Sequence, residues 1–304
     1  LQTFASNQLQ TMATYQADII QAHELLKKWL HLSTDANGDE WVKQKIVTLS
    51  EPISLKDFYL AFGIAPRMVG KLLLQLAPED IDAARQLRKG LTPTHWTTDQ
   101  AARILILLML PHDDTAEYLK ALDQLFTTAE VGELTALYLA LPLLPHPEAL
   151  RFRVSEGIRT NMSVVFNAIA LDNPYPMDYL DEAAWNQLVL KAVFIGSPLH
   201  RIQGLDARAN AHLARILRDF VHERWAAGRP VTHEVWRIIA PFADDSVLID
   251  IERLFEKGSE TEQQAAALFA VQSNHIAVLS LAQSKRPDLV AKVKTGEITW
   301  TDVV

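Results

Sequence analysis

Residues 206–226 read Asp-Ala-Arg-Ala-Asn-Ala-His-Leu-Ala-Arg-Ile-Leu-Arg-Asp-Phe-Val-His-Glu-Arg-Trp-Ala. Leu213, Ile216, Leu217, Phe220 and Val221 stand at i, i+3, i+4, i+7 and i+8, the apolar stripe of an α-helix. Asp206 is the expected cap. His212, Arg215, Asp219 and His222 share a second face, expected in solvent, with Arg215 and Asp219 spaced for an i, i+4 ion pair.

The same period recurs on both sides of this stretch. Towards the amino terminus it predicts helices over residues 17–32, 55–62, 66–76, 78–87, 101–110, 115–126, 131–141, 148–156, 158–171 and 181–195. Towards the carboxyl terminus it predicts them over 232–239, 246–255, 260–271, 275–283 and 287–294. Pro78 followed by two acids is a strong start signal, because the first-turn amides and the helix dipole favour both. No β-alternation interrupts the series, and the fold class is all-α.

The breaks come every ten to fifteen residues, and Leu110-Pro111-His112 recurs as Leu144-Pro145-His146. Helix pairs at such spacing belong to stacked helical repeats, in which each pair buries a face against its neighbours. The expectation is an irregular HEAT-like helical-repeat solenoid, with a globular helical bundle as the alternative. Residues 1–92 form an amino-terminal helical region and 93–304 the repeat region, as one continuous unit. Residues 33–39 and 89–96 are the expected hinges.

The 304 residues are 49% hydrophobic and 22% charged, a globular composition with no cysteine. Disulfides and thiolate zinc sites are therefore excluded. Leu1-Gln2-Thr3-Phe4 carries neither a basic nor an apolar leader pattern, and the longest apolar run, 104–110, is far below the ~18–20 residues of a bilayer span. A soluble, cytoplasmic protein is expected. The net charge of −8 is uneven: 12 basic and 18 acidic residues over 1–150, 10 and 8 over 151–230, and 7 and 11 over 231–304. An acidic chain repels nucleic-acid phosphates, so no nucleic-acid partner is expected. The relatively basic middle favours a small anion instead.

Motifs that carry chemistry are missing or incomplete. Gly63 and Gly70-Lys71 are spaced wrongly for a phosphate loop, and Leu72 replaces the hydroxyl that would hold magnesium. His222-Glu223 begins like a zinc-protease helix, but Ala226 stands where the second imidazole is required. His112-Asp113-Asp114 and Asp244-Asp245 read as first-turn charges of the helices that follow. No metal or cofactor is expected.

The polar residues worth weighing lie between Arg151 and Arg229. In a helix continuous over 148–171, Arg153, Glu156, Thr160, Ser163 and Asn167 form one stripe, lining a groove or lying in solvent with Arg153 and Glu156 paired. Alternatively Gly157 splits the helix and leaves Asn161 near a cap. Asn173-Pro174-Tyr175-Pro176 is a rigid corner, because each proline fixes φ and excludes helix from the residue before it. Such a corner holds Asn173 and Tyr175 in place, for binding or simply for turning. Asn186 sits beside Trp185 on the next helix, which also carries Lys191. His200 suits either a general base or a carbonyl cap, and Arg201 an anion clamp.

At these residues the chain resembles a known family. Arg159-Thr160-Asn161, Phe166-Asn167-Ala168-Ile169-Ala170, Asn173-Pro174-Tyr175-Pro176 and Trp185-Asn186-Gln187-Leu188-Val189-Leu190-Lys191-Ala192 are similar to the EboA proteins. So are Gly204-Leu205-Asp206, Arg208-Ala209-Asn210, Arg224-Trp225-Ala226-Ala227-Gly228-Arg229-Pro230 and Trp236-Arg237. The specific part covers about residues 151–242. The resemblance implies a bacterial metabolite-traffic protein from an ebo-type operon, whose neighbours typically include a TatD-like hydrolase, a UbiA-like prenyltransferase and a sugar-phosphate-cyclase-like enzyme. It implies no named reaction.

The resulting expectation is a non-catalytic helical adaptor or small-molecule-binding protein in secondary-metabolite precursor trafficking. Ligand-binding candidates are Arg159, Asn161, Asn167, Asn173, Tyr175, Asn186, Lys191, His200 and Arg201. One alternative is an enzyme acting on a polar or anionic metabolite with His200 as acid/base. Another is a scaffold for the operon's proteins, including peripheral association with the membrane prenyltransferase.

Overall fold

The computed structural model describes residues 17–50 and 53–303; Leu1 to Phe4, read above for a leader, lie outside them. Among the described residues the chain is helical, with no strand beyond one isolated antiparallel bridge between Leu73 and Thr97. None of these helices is long and apolar enough to cross a membrane.

The chain packs as two units, Leu1–Asp181 and Glu182–Val304. The first holds α1 (Ile19–Ser33), α2 (Ala36–Thr48), α3 (Leu55–Val69), α4 (Pro78–Leu87) and α5 (Thr98–Leu108). It continues with α6 (Thr115–Thr128), α7 (Val131–Ala140), α8 (Arg151–Ile158), α9 (Ser163–Ala170) and α10 (Tyr175–Tyr179). The second holds α11 (Glu182–Ile195), α12 (Ala211–Ala226), α13 (Val235–Ile239) and α14 (Leu248–Lys257). It ends with α15 (Glu260–Gln272), α16 (Ile276–Lys285) and α17 (Pro287–Thr295).

In the first unit α3 packs on α5, α5 on α7 and α7 on α9, each skipping one helix. α5 is the centre of this row. All its residues but one are buried, because Ile104 to Leu108 are apolar on every face and α1, α3 and α7 cover them. The two Leu-Pro-His triplets follow α5 and α7, and their histidines meet on α6. The rings of His112 and His146 lie 6.4 and 5.7 Å from the buried Tyr118 ring, and His146 Nε2 is 3.0 Å from the His112 carbonyl oxygen. In the second unit α13 packs on α15 and α15 on α17.

Several elements differ from the periodicity: α2 falls where no helix was expected, starting inside the expected hinge 33–39, α10 falls on the corner, and other boundaries shift. Residues 55–62 and 66–69 form one helix, α3, with Pro66 inside it; residues 70–76 are not helical. Pro66 has no N–H to bond the Phe62 carbonyl four residues back. The buried Arg103 Nε donates to that oxygen at 3.0 Å, which removes the usual penalty. Of the two readings of 148–171 the split one holds, with α8 ending at Ile158 and α9 beginning at Ser163. Gly157 allows the close approach of α8 to its neighbours, since a Cβ there would lie 2.5 Å from Ile169 Cδ1 and from the Tyr138 ring. Finally, α12 begins at Ala211 and not at Asp206, because Asn210 accepts from the Leu213 N–H at 2.9 Å. Asp206 instead binds Arg237.

Candidate functional site

In the first unit the corner residues are spent on the corner. Asn173 is buried; its Nδ2 donates to the carbonyls of Tyr138 and Ala168 at 3.0 and 2.9 Å, and its Oδ1 accepts from the Tyr175 N–H at 3.0 Å. Tyr175 is fully buried and its hydroxyl donates to the Pro147 carbonyl; burial pushes its pKa well above the ordinary phenol value. These two candidates are thus brought together, on backbone partners. Arg159 and Asn161 lie at the surface, and Arg159 pairs with Glu156. Arg153 pairs with Asp123 and not with Glu156, so the proposed stripe is broken both by the helix end and by its partners. Asn167 is half-buried on α9 and engaged.

In the second unit Asn186 is buried and forms a reciprocal amide pair with Asn210, at 2.8 and 3.2 Å. Asn210 thereby both caps α12 and ties it to α11. Lys191 and Arg201 are half-buried and engaged, and burial lowers the Lys191 ammonium pKa. His200 Nδ1 lies 3.3 Å from Oε1 of Glu234, a buried carboxylate whose Oε2 accepts from the Leu199 N–H at 2.9 Å.

A more elaborate cluster sits on α12 and α14. Asp250 is buried; its Oδ2 accepts from Arg218 Nε at 2.6 Å and its Oδ1 from His222 Nε2 at 2.7 Å. Arg218 also donates to the hydroxyl and carbonyl of Ser246, whose N–H and hydroxyl are held by Asp244. Because Asp250 accepts a hydrogen bond from Nε2–H, Nδ1 is the open nitrogen of His222. The His222 ring stacks on Trp225 (6.0 Å, 29°), Trp225 lies against Trp236 (5.8 Å), and Trp236 meets buried Phe269 edge-on (5.9 Å). The Arg253 guanidinium lies over the Trp225 ring, 4.3 Å from its centre.

Two hollows flank α12 here. One, of about 410 Å³, is walled by Ala214, Arg215, Asp219, Ile239, Phe242 and Ser246. The other, of about 500 Å³, is walled by His222, Trp225, Ile249, Arg253, Glu256 and Lys257. The expected Arg215–Asp219 pair is not among the ion pairs of the described residues; both side chains line the first hollow. The arrangement gathers cations and aromatic surface around the two hollows, with His222 Nδ1 as an open hydrogen-bonding atom.

Asp250, Arg218 and Arg253 were not singled out from the sequence. A signal was present: Asp250 falls at i−4 from Leu254 on the buried stripe of α14, where an acid demands a partner. Arg218 and His222 are four apart and so share the face of α12 that supplies it.

Comparison with curated proteins and with solved structures gives no significant match. The family described as Metabolite traffic protein EboA does match, over residues 22–240. That span reaches far in front of the motifs between Arg159 and Arg237 and includes α12, while α14 lies beyond it. The chain belongs to the EboA family.

Proposed function

We propose that the chain is a non-catalytic binding protein that holds a small-molecule metabolite during the traffic of secondary-metabolite precursors. The family description supports the traffic role. The observation that carries the binding role is the pair of hollows along α12, whose walls are fixed by the Arg218–Asp250–His222 bridge and the Trp225–Trp236–Phe269 stack. Walls held this way are pre-ordered, so little entropy is lost when a ligand enters.

Native mass spectrometry on the protein purified from its own host, before and after mild denaturation, tests this reading. A small molecule released on denaturation is the expected result. Protein free of small molecules, with other proteins retained, would replace it by an adaptor or scaffold role towards the products of an ebo-type operon, including a membrane prenyltransferase.

A second reading is an enzyme on a polar or anionic metabolite, favoured by the buried Glu234 behind His200. It requires turnover of the co-purified molecule by the wild type and its loss in His200→Gln.

A further inference from the structure

We propose that the hollow between α12 and α14 binds a metabolite carrying an oxyanion on an apolar body, with Arg253 receiving the oxyanion. This inference rests on the binding-protein reading and adds the place and the class of ligand.

Arg253 is exposed, yet its guanidinium is oriented by Trp225. The contact with the indole uses the charge of the guanidinium and not its N–H donors, which suit a two-point contact with a carboxylate or phosphate. Among the described residues Arg253 has no carboxylate within 4.0 Å, whereas Arg218, Arg237 and Arg286 are all bound to acids. Lys257, one turn further along α14, is likewise without an ion pair there. The hollow also has two glutamates on its rim, but Glu252 and Glu256 share Lys285, at 3.6 and 2.6 Å. One ammonium is thus shared by these two carboxylates, and Asp250, the third acid of the lining, is held by Arg218 and His222, whereas Arg253 and Lys257 have no acid within 4.0 Å among the described residues.

The remaining walls suit the rest of such a ligand. Ile249 is 70% exposed on the same helix and offers an apolar side. His222, held through Nε2 by Asp250, presents Nδ1 as a further hydrogen-bonding atom. The half-buried Trp225 ring rests against buried Trp236, which meets Phe269 edge-on in the core. Arg253 and Lys257 lie beyond the residues matched by the family, so this specificity belongs to the carboxyl-terminal unit of this chain.

The test uses the full chain labelled with ¹⁵N, with benzoate and phenyl phosphate as probes and benzyl alcohol as the uncharged counterpart. The Trp225 indole N–H is assigned by Trp225→Phe. Saturable shifts of that signal with both anions are expected, about ten-fold weaker in Arg253→Gln, with none for benzyl alcohol. Arg253 is exposed, so the substitution leaves the core untouched. Absence of a saturable shift in the wild type, equal binding by Arg253→Gln, or equal binding of benzyl alcohol overturns the proposal. Native mass spectrometry separates the two readings. A molecule that co-purifies undiminished with Arg253→Gln removes this site and leaves the binding-protein reading standing. Wild-type protein that carries no molecule removes that reading, and the benzoate titration still decides the site.

Discussion

Asn173 shows how a residue of binding-site chemistry can be consumed by folding. Its amide satisfies two carbonyls, on Tyr138 and Ala168, and one N–H, on Tyr175, all of them buried. The two prolines around it supply no N–H of their own, so the corner depends on side-chain bonds to close. Asn173→Ala is expected to lower stability by about 3 kcal/mol, the upper end of the cost of orphaning a buried polar group, because three partners lose their bond at once. Asn173→Asp keeps the acceptor for Tyr175 but sets a carboxylate against two carbonyl oxygens, and is expected to be at least as damaging. Denaturant midpoints of both variants measure this; a stable Asn173→Ala would return Asn173 to the list of ligand-binding candidates. Tyr175 follows the same logic through Pro147, and Asn186 through Asn210.

At the scale of the element, α3 and α5 are joined by one buried side chain. Arg103 reaches the Phe62 carbonyl that Pro66 cannot serve, and its other end binds Asp99 at 3.1 Å. Arg103→Leu orphans the Phe62 carbonyl and removes the ion pair of buried Asp99, which keeps only the Thr97 hydroxyl among the described residues, so a loss of about 3 kcal/mol in chemical denaturation is expected. Pro66→Ala restores a helical N–H for Phe62, and in the Arg103→Leu background it is expected to recover about 1 kcal/mol. A double variant no more stable than Arg103→Leu would show that Phe62 gains nothing from that N–H. The same pair marks the limit of reading elements from sequence. The 3.6 period identified most of the helices because burial on one face needs only local spacing, but it passed over α2 and α10. It divided α3 at Pro66 because the compensating group comes from 41 positions away. Around Gly157 it left both a continuous and a split helix open, because the close packing of Gly157 on Tyr138 and Ile169 is not a local property of the sequence. The candidate site was legible only in part for a related reason: Asp250 stands on the buried stripe of α14, where an acid needs a partner, but its partners Arg218 and His222 lie 32 and 28 positions away.

For the molecule as a whole, two histidines with lowered pKa values give a contribution to the response to mild acid whose sign can be worked out. His23 in the first unit is half-buried, and desolvation, reinforced by Lys27, lowers its pKa from the ordinary value of 6.5 against a smaller pull from Glu24. His233 in the second unit is lowered by burial against the opposing pull of Glu262. In the unfolded chain both take up a proton near pH 6.5, while the folded chain resists until the pH is lower. The unfolded state therefore binds more protons in this window, and stability falls as pH drops through about 6.5, levelling once the folded histidines protonate as well. Carboxylates act later. Asp288, held down to about 2 by Arg286, and the similarly lowered Asp39 and Glu260 stabilise the fold above their ordinary values and lose that contribution only on further acidification. Denaturant midpoints taken between about pH 7 and pH 5.5 should thus decline, with His23→Gln and His233→Gln each flattening part of the slope. An unchanged slope in the double variant would assign the effect to other groups, and an increase in stability on acidification would reverse its sign.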